Sequence, residues 1–254
     1  MPTLLLVRHG RSSANTSGIL AGRTPGVTLD DTGRQQVQAL AERLAPVPVV
    51  AVVSSPLERC VATAEALRAV DGPRGRHRHR PAVVVEDRLS ECDYGEWTGR
   101  SLRDLAKEPH WAVVQQHPSA AVFPGGESLR DVQARALDAV RETDARVRAE
   151  HGDAAVWVAV SHGDVIKAVL ADALGMHLDA FQRVVVDPAS LSVVRYTATR
   201  PFVLRSNDTG APTDGLVPPR RRRGRRAAAS SDAVVGGGAG SGAGADPAAP
   251  GRSG

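Results

Sequence analysis

Short apolar runs and amphipathic stretches alternate through the first two hundred residues. The runs at 3–7, 49–54, 82–86 and 155–161, with a later pair at 183–187 and 192–197, are rich in Val and Leu. Such content predicts strands buried on both faces, as in a sheet covered by helices. Between them lie helical patterns at 32–44, 57–70, 128–151 and 163–174. The first carries Val37, Leu40, Ala41 and Leu44 on one face, and the longest carries Val132, Ala136, Ala139, Val140 and Val147. Gly175 is a natural stop for the last. Alternation of strand and helix predicts a layered α/β fold with a mainly parallel sheet. Residues 102–124 are less regular, interrupted by Pro109, Pro118 and Pro124, and suit a helical subdomain or lid.

The pattern stops near residue 210. Pro218 and Pro219 precede the basic run 220–226, after which Ala, Gly, Ser and Pro dominate to Gly254. Without a periodic apolar face, residues 209–254 are expected to be a disordered tail following one domain at 1–208.

Composition adds three points. The hydrophobic fraction of 42% contains only three Trp, two Tyr and three Phe, so aliphatic packing must carry the core. Cys60 and Cys92 have no paired spacing and read as small buried thiols, neither a disulfide framework nor a metal site. The net charge of +4 is misleading, because the chain from Pro219 onward carries +5 and leaves −1 for residues 1–218. The basic tail is expected to be solvated, with weak contact to nucleic acid or anionic surfaces as the lesser alternative. No run approaches the roughly 18 apolar residues of a membrane span, so a cytoplasmic protein is expected.

Three predicted strands end in chemistry. The first leads into Arg8-His9-Gly10, the second into Ser54-Ser55-Pro56-Leu57-Glu58-Arg59-Cys60, and the strand at 155–161 into Ser161-His162-Gly163-Asp164. Strand C-termini are where open α/β sheets place ligands. Two guanidiniums and two imidazoles brought together there would favour a phosphate monoester, since Arg offers planar, bidentate recognition of phosphate oxygens. His77 and His79 form an HxH pattern, but flanking arginines would repel a metal cation.

Residues 3–15, 22–36, 54–66, 89–99 and 161–170 together resemble the histidine phosphatase superfamily, also called phosphoglycerate mutase-like. Its opening Arg-His-Gly-x-Ser/Thr-x-x-Asn is matched by Arg8, His9, Gly10, Ser12 and Asn15. Gly22, Arg23, Leu29, Gly33 and Gln36 match the next stretch, and Ser54 through Cys60 with Thr63 and Ala64 the one after. The acid loop is matched by Leu89, Glu91, Tyr94, Gly95, Trp97 and Gly99, and the closing Ser-His-Gly by residues 161–163. Arg11 stands where many members carry Glu, which would add a cation at the mouth.

The resemblance implies a three-layer α/β/α fold with a mainly parallel mixed sheet, and a metal-independent phosphatase without cofactor. It implies that His9 attacks phosphorus, that Arg8, Arg59 and a protonated His162 bind the phosphoryl oxygens, and that Glu91 is general acid and base. Asn15, Ser12, Arg23 and Gly163 are the further substrate-binding candidates. Pro124-Gly125-Gly126-Glu127-Ser128 resembles a loop common in the family. The expected partner is a small phosphorylated metabolite or a phosphoprotein, with no membrane, and a homodimer is the base-rate expectation. Arg11, Arg23, Lys167 and residues 102–124 are candidate substrate selectors. Two rivals are a cofactor-dependent phosphoglycerate mutase and a non-catalytic binder of phosphorylated ligands. The 71 positions from Glu91 to His162 leave little room for the mutases' larger insertion.

Overall fold

The computed structural model describes residues 1–69, 81–210 and 236. Its centre is a six-stranded sheet: β1 (Thr3–Arg8), β2 (Val49–Ser54), β3 (Val83–Val85), β4 (Val156–Ser161), β5 (Leu191–Tyr196) and β6 (Pro201–Asp208). The spatial order is β3-β2-β4-β1-β5-β6. The first four strands in sequence pair in parallel, whereas β5 runs antiparallel to β1 and β6 to β5. The described helices are α1 (Ser13–Ser17), α2 (Asp31–Leu44), α3 (Glu58–Ala69), α4 (Leu102–Leu105), α5 (Trp111–Gln116), α6 (Leu129–His151) and α7 (Gly163–Ala173).

The three layers arise from the two-residue period of the strands. Leu5 and Val7 of β1 pack with Leu40, Ala41 and Leu44 of α2 and with Cys60, Ala64 and Leu67 of α3. Leu4 and Leu6, pointing the other way, join Val132, Val140 and Val147 of α6 and Val165 and Val169 of α7. Each buried aliphatic side chain contributes about 1.5–3 kcal/mol relative to exposure. Caps fix where helices begin: Asp30 Oδ1 accepts from the Gly33 N–H at 2.7 Å, and Ser128 Oγ from that of Asp131 at 3.0 Å. Caps of this kind stabilise a helix by about 1 kcal/mol.

The helices predicted at 32–44, 57–70, 128–151 and 163–174 form as α2, α3, α6 and α7, with residue 70 outside the described residues. The stretch 102–124 holds α4, α5 and a 3₁₀ turn at Pro118–Ala120, anchored by buried Leu105, Val114 and Pro118. Two strand expectations need correction. Residues 183–187 form no strand: Leu178–Arg183 is a 3₁₀ turn, and the chain then runs irregularly with Val184 and Val186 buried. Its alternating valines serve packing, and the Val186 carbonyl accepts a hydrogen bond from Arg8 instead of a neighbouring strand. The final strand is β6, whose Arg205-Ser206-Asn207-Asp208 end looks like polar tail in sequence. As an edge strand it needs burial on one side only, and Phe202 and Leu204 are about half exposed. His77, His79 and the tail beyond residue 210, apart from Gly236, lie outside the described residues.

Helix α2 presses directly on the turn after β1. A Cβ on Gly10 would stand 2.6 Å from the Gly33 carbonyl oxygen and 2.7 Å from Val37 Cγ2, and one on Gly33 would collide with the Arg11 carbonyl. Gly33→Ala is therefore expected to destabilise the protein by about 1–3 kcal/mol, read as a lowered thermal midpoint. A midpoint equal to that of the unmodified chain would contradict this close approach.

Candidate active site

The strand order places the C-terminal ends of β2, β4 and β1 side by side. The backbone stitches them together, with the His9 N–H donating to Ser161 O at 3.0 Å and the Ser55 N–H to Val160 O at 3.0 Å. Arg8 and His9 at the end of β1, Arg59 on the first turn of α3, and His162 after β4 thus reach one site. All four are buried, Arg8 and His162 completely. His9 and His162 meet edge to face, with ring centroids 5.2 Å apart.

Buried guanidiniums need acceptors. Arg8 Nη1 donates to Val186 O at 2.8 Å, and Arg59 Nη2 to Gly22 O at 2.8 Å. Burial lowers Arg8 against the attraction of Glu91, Asp187 and Asp164. Arg59 Nη1 has no hydrogen-bond partner among the described residues, although Arg59 lines the pocket with His9, Ser12, Asn15 and Glu91. A buried donor left unsatisfied costs about 1–3 kcal/mol, and an anionic oxygen in the pocket would meet its need.

The imidazoles are neutral and each is held in one tautomer. His9 Nδ1 lies 2.7 Å from its acceptor, Gly10 O, so that nitrogen carries the hydrogen. Nε2 therefore keeps its lone pair, which receives a contact from Arg59 Nε at 3.3 Å. His162 shows the reverse arrangement: Nδ1 accepts from Arg59 Nη2 at 3.3 Å, and Nε2 faces Ser55 Oγ at 2.8 Å. Burial first, then the charges of Arg59 and Arg8, push both rings well below the ordinary histidine value. Burial and the arginines thus work against the protonated His162 that the resemblance implies, and a bound anion would favour that form. Cys60 Sγ lies 3.4 Å from His162 Nε2, and burial pushes this thiol up to about 12.

Glu91 reaches the same pocket from the loop after β3. Its Oε1 accepts from the Cys92 N–H at 3.0 Å, and its Oε2 lies 3.9 Å from His162 Nδ1. That approach is no ion pair, because His162 is neutral and Glu91 is itself pushed up to about 7. Burial is the main cause, followed by the Asp164 carboxylate, against the Cys92 N–H and the two arginines. A carboxyl in this condition can give and take a proton near neutrality.

The loop that carries Glu91 is clamped from behind. Arg135 on α6 donates to the carbonyls of Arg88, Ser90 and Glu91 at 2.5, 2.8 and 3.2 Å. The same guanidinium grips Glu127, at 2.9 Å to Oε1 and 3.0 Å to Oε2, and Glu127 accepts from the Asp93 N–H at 2.9 Å. Arg23 completes the clamp, donating to Glu91 O and to Glu127 Oε2, both at 2.8 Å. Sequence reasoning misses Arg135, whose only signal is an arginine beside the apolar stripe of α6. It also misses Ser55 as the partner of His162.

The remaining candidates take distinct places. Ser12 and Asn15 line the pocket, with the Ser12 N–H and Oγ both donating to Asn15 Oδ1. Gly163 is the buried first residue of α7. Arg23 joins the acid loop instead of the pocket lining. Arg11 pairs with Asp30 at 2.8 Å, so its charge serves the cap of α2 and adds no cation at the mouth. Lys167 is buried, 3.4 Å from Asp164 Oδ1.

Known proteins share this fold. The family model described as "Histidine phosphatase superfamily (branch 1)" matches residues 4–209. Phosphoserine phosphatase 1 of Hydrogenobacter thermophilus is 31% identical over 214 residues, covering 82% of this chain and 93% of that protein. A bifunctional protein of Mycobacterium tuberculosis is 36% identical over 212 residues, 82% of this chain, and the chain spans about half of that relative (54%). The solved structure of a mycobacterial glucosyl-3-phosphoglycerate phosphatase with vanadate superposes with a TM-score of 0.68 at 26% identity, covering 81% of this chain and 98% of that one.

The clamp makes a specific prediction. Arg135→Lys keeps the charge but loses the fork that spans three carbonyls and a carboxylate. It is expected to lower kcat for phosphate-ester hydrolysis by about ten- to hundredfold through misplacement of Glu91, with the circular dichroism spectrum retained. An unchanged kcat in the folded variant would show that the loop does not depend on the clamp.

Proposed function

Because the chain belongs to the histidine phosphatase superfamily, we propose that it hydrolyses phosphate monoesters without a metal, through a phosphohistidine on His9 with Glu91 as general acid and base. The phosphatase unit in this reading is residues 1–208, and the substrate is a small phosphorylated metabolite. Relatives named for phosphoserine and for glucosyl-3-phosphoglycerate support that choice. The observation that carries the mechanism is the pairing of a neutral His9, whose Nε2 keeps its lone pair, with a carboxyl at about 7 lining the same pocket.

In the first step His9 Nε2 attacks phosphorus in line and the bond from phosphorus to the ester oxygen breaks. Glu91 gives its proton to the departing oxygen, so an alcohol leaves and Glu91 becomes a carboxylate. His9 keeps its Nδ1 hydrogen on Gly10 O, and that carbonyl stabilises the charge that develops on the ring. Arg8 and Arg59 hold the phosphoryl oxygens, with the open Arg59 Nη1 supplying one donor, His162 joining them in the protonated form that the bound anion favours, and Ser12 and Asn15 bordering the group. In the second step water attacks phosphorus and the bond to Nε2 breaks. Glu91 takes the water's proton, which restores the neutral histidine and the protonated acid.

The sign of the pH dependence is set by Glu91. It must be protonated for the first step, and its value of about 7 means that this form is lost above neutrality. His9 is pushed down, so it stays unprotonated well into the acid range and imposes no limb near 6.5. With an alkyl phosphate, whose leaving group needs the proton, kcat/KM is expected to fall about tenfold per unit above pH 7. His9→Ala should abolish turnover in the presence of a chelator, and Glu91→Gln should remove the alkaline limb along with most of the rate. Phosphate release should exceed bisphosphoglycerate-dependent isomerisation of 3-phosphoglycerate. A flat profile to pH 9, or equal rates for the unmodified chain and His9→Ala, would refute the mechanism.

A further inference from the structure

One buried charge in this neighbourhood has no part in the steps above. Asp164, on the first turn of α7, is 1% exposed. Its Oδ1 faces Lys167 Nζ at 3.4 Å, and Lys167 is held by Gln182 Oε1 at 3.1 Å. Its Oδ2 accepts from the Tyr94 hydroxyl at 2.8 Å and from the backbone N–H of Gly236 at 2.9 Å. Tyr94 and Gly236 both line the pocket that contains His9, Arg59 and Glu91.

A carboxylate beside a phosphate pocket needs a reason, because it repels the dianion and its own desolvation is costly. Lys167 accounts for one oxygen. The other receives a hydroxyl from the acid loop and an N–H from Gly236, a residue outside every strand and helix of the domain. Gly236 therefore marks where a donor sits against Asp164 from the pocket side. Tyr94 and Gly236, which both donate to this oxygen, line the same pocket as Glu91, so the position borders the acid and not only the arginines. The pocket lining thus joins the cationic Arg59 to two groups, the Tyr94 hydroxyl and the Gly236 N–H, that cover the buried Asp164 acceptor.

We propose that Asp164 is a specificity-determining residue: its Oδ2 accepts a hydrogen bond from an ammonium or hydroxyl group on the alcohol half of the substrate, in the place taken here by the Gly236 N–H. This rests on the phosphatase reading and narrows it to phosphate esters of amino or hydroxy alcohols. A site built around such an acceptor discriminates strongly against analogues that lack the donor, because the buried acceptor is left unpaired.

The test measures competitive inhibition of the full chain by phosphonates, which cannot be hydrolysed. Aminoalkyl phosphonates of two to four carbons are compared with alkyl isosteres bearing methyl in place of ammonium, and with the hydroxyalkyl series. At least one amino or hydroxy member is expected to bind about tenfold or more tightly than its isostere, and the better series identifies the donor. Asp164→Asn should reduce that advantage at least threefold, and an advantage retained in a folded Asp164→Asn protein would overturn the assignment. If that variant does not fold, the comparison on the unmodified chain still decides. Equal or tighter binding of every methyl isostere would overturn the proposal while leaving His9-dependent hydrolysis intact. Loss of His9 dependence would instead refute the phosphatase mechanism, whatever the order of the phosphonates.

Discussion

Two guanidiniums lie beneath the ends of a sheet with almost no access to water, and that burial together with their charge sets the state of the groups around them. Arg8 and Arg59 each find a backbone carbonyl, from Val186 and Gly22. These carbonyls anchor the cations without cancelling their charge. Burial first, and then these cations, keep two neighbouring imidazoles neutral, which preserves a lone pair on His9 Nε2. The same cations should drive Glu91 to ionise, yet burial and Asp164 outweigh them and leave it near 7. An unprotonated imidazole and a carboxyl near 7 in one pocket are both consequences of where charge has been buried.

The fold and the gathering of Arg8, His9, Arg59 and His162 are legible in the sequence because they depend on local pattern. Runs of Val and Leu ending in Arg-His-Gly, Ser-Pro-Leu-x-Arg and Ser-His-Gly mark both the strands and the side chains at their C-terminal ends. Parallel pairing of β1, β2 and β4 then brings the three ends together without further information. The pattern misleads where a residue's role depends on a distant partner. Val184 and Val186 alternate like a strand, but one of their carbonyls is taken by Arg8, far away in sequence. Residues 201–208 form an edge strand whose polar end carries no core signature. Arg11 reads as a cation at the mouth, and only its proximity to Asp30 in space removes that role.

The two halves of the site are built by different means. The phosphate half sits on strand ends, where register fixes position and little can move without disturbing the sheet. The acid half sits on a loop, and its placement comes from the guanidinium of Arg135, which gathers three carbonyls that a helix or strand would otherwise have paired. Asp164 and Lys167 carry a sequence-level signal of a similar kind. Two opposite charges three residues apart on the buried face of a mostly apolar helix stay there only if they have business with each other or with a ligand.

The sulfur atom beside His162 gives the site a chemical temperament of its own. Cys60 is in contact with the ring, yet its proton is held far more tightly than in a free thiol. Peroxide and alkylating reagents attack thiolates, so this sulfur offers them almost nothing. Enzymes that hydrolyse phosphate esters through a cysteine expose a thiolate and can be silenced by oxidation. In the proposed mechanism the attacking atom is a nitrogen and the neighbouring sulfur keeps its proton, so hydrolysis by that route would not depend on a thiolate.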